Sequence, residues 1–352
     1  MINSTKKLLN DYAKRHPKLQ IQDIFKFIYQ SSFGCEHLVT SKEKAREYIF
    51  NEYVNCDYCT QGKKEYLDGD YVRLPLNYID KGLSIDTLCS LFVASSKKED
   101  NGLACLKEKL KIAEAMVEAG ELPFDINDFI KAKNDWANQG YPAIHHSEIY
   151  RCNYQPAYRV IAKKYVEFLP LFIELDKMLK ETNIKIAIEG GSASGKSTLS
   201  KMLNQVYGCA VINMDDFFLQ PHQRTKERFK EVGGNVDWER FLKEVVVPFN
   251  NGLTVKYQKF DCKTVKLCDW VEVQPNKLTV IEGVYSMHPQ FKKYYDYSVF
   301  LDISEKTQAS RIIKRNPDLK NRFFDEWIPL ENAYFTATDI KNRCDTIIKI
   351  KE

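Results

Sequence analysis

Glycine, lysine and hydroxyl side chains fall together at Gly190-Gly191-Ser192-Ala193-Ser194-Gly195-Lys196-Ser197-Thr198, which fits G-x-x-x-x-G-K-[ST] without a mismatch. Glycines at 190, 191 and 195 let a backbone wrap closely round an anion and point its N–H groups inward. A helix opening near Lys196 adds the positive end of its dipole. These types in this order suit a triphosphate. Lys196 would reach the β- and γ-phosphates, and the Ser197 hydroxyl would ligate magnesium. Every residue from Gly190 to Thr198 is a candidate nucleotide-binding position, with ATP and Mg2+ as the implied cofactors.

Further on, Ala210-Val211-Ile212-Asn213-Met214 runs into Asp215-Asp216. Functional side chains collect at the carboxyl ends of strands in an open α/β sheet. An Asp placed there can accept the proton of a hydroxyl that attacks the γ-phosphoryl group. A helix-capping or magnesium-shell carboxylate is the other reading for either one. The run Leu278-Thr279-Val280-Ile281 ends in Glu282-Gly283, where a direct or second-shell magnesium carboxylate is expected and Gly283 leaves room for a ligand. Arg311, Lys314 and Arg315 share one helix face, followed by Asn316-Pro317 and then Arg322. A cationic face beside such a break suits a lid that closes on the transferring phosphoryl group; a solvated charged face is the plainer alternative.

The elements that must hold these groups are legible around them. Ile184, Ile186 and Ile188 with Ala187 predict a strand buried on both faces. Leu199, Met202, Leu203 and Val206 recur at helical spacing after the loop. Strand and helix then alternate, with candidate strands at Ile184–Glu189, Ala210–Met214, Leu278–Glu282, Tyr297–Ile303 and Thr346–Ile350, and a shorter edge piece at Thr254–Phe260. The predicted fold class is α/β: a P-loop domain over 181–352, with a parallel sheet flanked by helices, preceded by a mainly α-helical domain over 1–180 that has no assigned role. The boundary falls at Lys180-Glu181-Thr182-Asn183. In the first part, Ile21, Ile24, Phe25 and Ile28 predict a helix ending near Gly34. Ala45, Tyr48, Ile49 and Tyr53 predict a second, and Leu103 to Val117 a third closed by Gly120. A long helix is predicted from Tyr158 to Leu179, bent at Pro170.

Two polar clusters stand outside this scheme. Cys35 and His37 with Cys56 and Cys59 supply four zinc-ligand types, but no second C-x-x-C or H-x-x-x-H accompanies them, which favours buried structural thiols. The stretch from His145 to Arg159 holds His145, His146, Tyr150, Arg151, Tyr154, Tyr158 and Arg159. It reads either as an anion site or, in the favoured reading, as a helix start capped by Ser147.

Composition sets the outer limits. The 352 residues carry 52 Lys plus Arg against 48 Asp plus Glu, a net charge of +4, which predicts no nucleic-acid partner. No apolar run approaches the ~18 residues of a membrane span, the first residues are too polar for a signal peptide, and scattered cysteines read as free thiols. A cytoplasmic location and no membrane partner are expected. A GTPase is disfavoured because Asn276-Lys277-Leu278-Thr279 has Thr where N-K-x-D needs Asp, and the absence of L-S-G-G-Q disfavours a transporter ATPase.

GGSASGKST, MDDFF, GGNVDWERF, KFDC, VIEGVY and RIIKRN together resemble the uridine kinase, phosphoribulokinase and pantothenate kinase superfamily. EWIPLENAYF brings the chain nearest to bacterial uridine-kinase-like proteins. The resemblance covers roughly Ile184 to Ile350. It implies a kinase in which Asp215 is the general base; the residue reading adds Asp216 to Ser197 and Glu282 as candidate magnesium ligands. Asp237 falls where relatives hold ribose or equivalent hydroxyls. Phe260 and Asp261 fall at a Tyr-Asp pair beside the acceptor, and Arg311 and Arg315 fall approximately at lid arginines, the spacing there being different; Arg322 beyond them is a candidate substrate contact from its position alone. Uridine kinases carry a His soon after that pair; here Cys262-Lys263-Thr264 follows. The implied partner is a small hydroxyl acceptor, foremost a nucleoside 5′-OH. Pantothenate, glycerate or a sugar is an alternative, as is an ATP-operated regulatory module, and homo-oligomerisation stays open. The helical part resembles a segment fused to such kinases in bacteria, which assigns it no function.

Overall fold

The computed structural model describes residues 2–35, 41–55, 62–96 and 101–351, in two compact units, Met1–Lys177 and Met178–Glu352.

The first unit contains α1 (Ile2–Arg15), α2 (Ile21–Phe33), α3 (Lys42–Val54), β1 (Glu65–Tyr66), β2 (Tyr71–Pro75), α4 (Ile85–Ala94), α5 (Gly102–Glu118), α6 (Ile126–Asn138), α7 (Glu148–Tyr154), β3 (Tyr158–Ala162) and α8 (Leu169–Met178). Helix α2 buries Ile24, Phe25, Phe27 and Ile28 and ends at Gly34, whose φ is +62°. The long helix expected from Tyr158 is instead strand β3, a 3-10 stretch over Lys163–Phe168, and α8. Pro170 therefore stands in the first turn of α8, where its missing N–H costs nothing. Strand β3 pairs antiparallel with β2, which pairs with β1. Arg159, Val160 and Ile161 are all buried, so the alternation that would mark a strand is missing from the sequence.

Ser147 caps α7 by accepting the Tyr150 N–H at 3.0 Å, the helix-start arrangement. His146 is buried, stacked on Tyr150 at a centroid distance of 4.1 Å, with Nδ1 2.9 Å from Asp23 and Nε2 2.8 Å from the Tyr158 hydroxyl; His145 is exposed. Of the cysteine and histidine cluster, His37, Cys56 and Cys59 lie outside the described residues. Cys35 is buried, its Sγ 3.5 Å from the Phe92 carbonyl, and burial pushes its thiol up to about 12.

The second unit runs β4 (Ile184–Glu189), α9 (Lys196–Tyr207), β5 (Ala210–Asn213), α10 (Trp238–Phe241), a π turn over Leu242–Val246, α11 (Val247–Asn250), β6 (Val255–Asp261), β7 (Lys266–Val273), β8 (Leu278–Glu282) and β9 (Tyr297–Asp302). Then come α12 (Glu305–Arg315), α13 (Lys320–Arg322), a π turn over Phe323–Trp327, α14 (Ile328–Thr338), α15 (Ile340–Arg343) and β10 (Thr346–Lys349). Five strands form a parallel sheet in the order β10-β9-β4-β8-β5. Helices flank it, so β4 and β8 are apolar nearly throughout. Ala187, Ile212, Ile281 and Phe300 anchor a core shared with Phe217, Phe241 and Tyr334. Truncating one of its large aliphatic side chains to Ala would cost about 2–5 kcal/mol.

The edge piece expected at Thr254–Phe260 is not an edge of this sheet. It is β6, paired antiparallel with β7 in a separate hairpin. Among the described residues no helix is long and apolar enough to cross a membrane.

Candidate active site

Strand β4, in the middle of the parallel sheet, delivers the chain to Gly190. Gly190 has φ +139°, and a Cβ there would meet the Leu301 carbonyl oxygen at 2.6 Å, so no other residue fits without displacing β9. Gly195, at φ +104°, turns the chain into α9. The first turn of α9 offers N–H groups with no carbonyl of their own helix to bond, and the dipole adds positive potential there. Lys196 Nζ lies 2.7 Å from the Gly190 carbonyl and 3.0 Å from that of Gly191.

A cavity of about 600 Å³ opens on this loop, and Lys196, Ser197, Asp215, Glu282, Arg315 and Arg322 all line it. Asp215 follows β5 in a 3-10 turn at the carboxyl end of the sheet. Its side chain is exposed to the cavity; loss of water around the carboxylate raises its pKa, while Lys196 and Arg315 pull it back. Glu282 ends β8. Burial raises its pKa, opposed by Lys196 and by a hydrogen bond from the Ser197 hydroxyl. Arg322 also lies over the Trp327 ring, 4.9 Å from its centroid.

Other expected site residues are held elsewhere. Asp216 accepts the Tyr257 hydroxyl at 3.0 Å and does not line the cavity, because consecutive residues in the tight turn point apart. Asp237 caps α10, accepting the Arg240 N–H at 3.1 Å. Phe260 is buried in the hairpin, and Asp261 folds onto its own turn, accepting the Lys263 N–H at 2.9 Å and the Thr264 hydroxyl at 2.8 Å. Arg311 donates to the Ala193 carbonyl at 3.2 Å, holding the loop rather than lining the cavity. Gly283 makes room for the chain, not for a ligand: a Cβ there would lie 2.6 Å from the Met214 Cβ.

Several cavity residues carried no sequence signal of their own. Arg224 and Lys263 bring two more cations, and Phe218, Leu219 and Phe229 an apolar wall. Glu331 lines the cavity from α14. Glu189, the residue before the loop, is wholly buried, and its position at a strand end was the one available hint.

The donor set suits magnesium. Ser197 and Glu282 offer hard oxygens beside the loop, with Asp215 on the same cavity. Among the described residues no three His, Cys, Asp or Glu converge as a metal cage, and Mg2+ in such sites takes few protein oxygens, keeping waters and substrate phosphates for the rest.

Residues 185–326 match the sequence profile of the Phosphoribulokinase / Uridine kinase family. Over this stretch the chain is similar to that family. A phosphoribulokinase of Synechocystis sp. is 26% identical over 184 residues, 47% of this chain and 53% of that protein. Uridine kinase-like protein 4 of Arabidopsis thaliana is 28% identical over 37% of this chain, but only 29% of its own length is spanned. A uridine kinase of Clostridium perfringens is 24% identical over 47% of this chain and 86% of its own length. The chain thus spans about half or less of the first two relatives. A solved structure titled as a possible uridine kinase from Bacillus stearothermophilus is 19% identical, covers 51% of this chain and 99% of its own, and has a TM-score of 0.38; it adds nothing to the topology described above. The family match over residues 185–326 is consistent with a kinase.

Proposed function

We propose that the second unit transfers the γ-phosphoryl group of ATP to a hydroxyl of a small molecule, foremost a nucleoside 5′-OH. The observation that carries this is the meeting of Lys196, Asp215 and Arg315 on one cavity. The loop amides and Lys196 hold the phosphates, and Asp215 accepts the hydroxyl proton as the oxygen attacks. Ser197 and Glu282 would hold magnesium, which offsets the charge of the β- and γ-oxygens. Arg315 and Arg322 face the cavity from the segment that follows β9 and supply cations to the transferring group. The nucleoside part rests on the resemblance and on relatives named uridine kinase.

A second reading is favoured by Arg224 and Lys263. Both line the cavity, and neither makes an ion pair among the described residues. Such cations attract a phosphate or carboxylate, whereas Asp237 and Asp261, expected at the sugar, bond their own backbone. The acceptor is then an anionic hydroxy compound such as glycerate, pantothenate or a sugar phosphate.

The test is ADP release from Mg·ATP by the full chain across nucleosides, pantothenate, glycerate, sugars and sugar phosphates. Stimulation by a nucleoside supports the first reading, and stimulation by anionic acceptors alone supports the second. Slow hydrolysis that no acceptor stimulates sinks both and points to a nucleotide-operated module.

A further inference from the structure

Ser192, in the turn of the phosphate loop, has both its backbone groups held by side chains from distant helices. Glu331 of α14 accepts the Ser192 N–H at 2.9 Å and also the Ser192 hydroxyl. Gln308 of α12 donates its side-chain amide to the Ser192 carbonyl at 2.9 Å, and Arg311 reaches the next carbonyl. The turn needs such support. Ala193 sits at φ +59°, a conformation that costs a non-glycine residue about 1 kcal/mol or more unless its surroundings impose it. Gly191 packs tightly against the same groups, with a Cβ there 2.8 Å from the Gln308 nitrogen and 3.6 Å from a Glu331 oxygen. Glu331 is only 6% exposed and lies beyond residue 326, where the family match ends.

We propose that Glu331 is a positioning residue for the nucleotide. Its carboxylate fixes the Gly191–Ala193 turn so that the amides that follow face the phosphates before ATP arrives. The inference rests on the nucleotide-binding reading above. Preorganised donors bind more tightly because no ordering cost is met on binding. The opposite role is also chemically coherent. A carboxylate on the cavity wall, near enough for the Lys196 and Asp215 charges to reach it, could repel incoming phosphate and act as a brake.

Calorimetry of Mg·ATP and Mg·ADP on the full chain separates these cases. Wild-type protein that takes up neither nucleotide defeats the nucleotide reading itself. Given wild-type binding, Glu331→Ala should weaken both by about tenfold or more, the loss expected for two charge-assisted hydrogen bonds. Glu331→Gln, which keeps an oxygen for the Ser192 N–H, should recover most of it. With a turned-over acceptor, the KM for ATP should rise while the KM for the acceptor stays put. Binding unchanged in Glu331→Ala overturns the inference, and so does tighter binding, which is the signature of a brake. Should Glu331→Ala fail to fold, Ser192→Ala decides: several-fold weaker binding supports the proposal, and wild-type affinity overturns it.

Discussion

The Tyr334 hydroxyl lies 3.0 Å from the Glu189 carboxylate, joining the last residue of β4 to a helix 145 positions further along the chain. The same oxygen of Glu189 accepts the Met287 N–H at 2.9 Å. These two bonds and the charge of Lys196 favour the ionised form, but burial outweighs them and pushes the carboxyl up to about 7. A buried acid therefore sits directly under the phosphate loop.

Its titration gives a stability signature. Between the ordinary value near 4.5 and about 7, the folded chain keeps a proton that the unfolded chain has lost. The associated stability is present in full below about 4.5 and is lost as pH rises to about 7, by roughly 3–4 kcal/mol. Glu189→Gln should flatten the fall of Tm across that window, read by thermal unfolding at several pH values. Parallel wild-type and variant curves would remove the premise.

His146 has the opposite sign. Burial lowers its pKa to about 3, against a bond to Asp23 that raises it. Between about 6.5 and 3 the unfolded chain binds a proton that the folded chain refuses. Stability is therefore lost as pH falls through that range, by roughly 1.4 kcal/mol for each pH unit traversed. His146→Gln should lessen the acid sensitivity of unfolding, monitored by circular dichroism. No change in the acid limb of the curve would argue against a neutral buried imidazole.

Lys196→Ala should lower phosphotransfer by about 10²–10³-fold, the usual cost of one preorganised donor to developing charge, and leave Tm near wild type. The amine bonds the Gly190 and Gly191 carbonyls, neither of which is needed to hold the core. Near-normal turnover in a folded variant would rule the amine out of the chemistry.

Asp215 and Asp216 are adjacent and should behave differently. Asp215→Asn should cut acceptor-dependent turnover by about 10²–10⁴-fold with Mg·ATP binding retained. Asp216→Asn should act on stability, through the Tyr257 hydroxyl that it accepts, and should spare the affinity for magnesium. Kinetics and denaturant melts on the two single variants distinguish the roles, and a reversal of the pattern would exchange the assignments.

The sequence announced the loop because each glycine meets a local backbone demand: Gly190 has no space for a Cβ, and Gly195 lies at positive φ. Buried parallel strands were equally plain as apolar runs. Adjacent polar residues were harder. Nothing in MDDFF says which Asp turns to the cavity, since Tyr257, which takes Asp216, comes 41 residues later. Asp237 and Asp261 were matched by motif, yet short-range bonds to their own turns hold them. The contact between Ser192 and Glu331 spans 139 residues and has no periodicity to betray it. Strand β7 has no strand signature in the sequence, because its charged and exposed residues look like a loop.

The π turn over Phe323–Trp327 stands between Arg322 and Glu331. A π turn carries one residue more than an α turn, and each residue advances a helix by about 100°. The angular phase between the guanidinium that faces the cavity and the carboxylate that grips the loop is therefore set by a single extra residue. Deleting any one position from this turn would keep both side chains and the helix length nearly intact while swinging Arg322 about a quarter-turn out of alignment with its partner across the site.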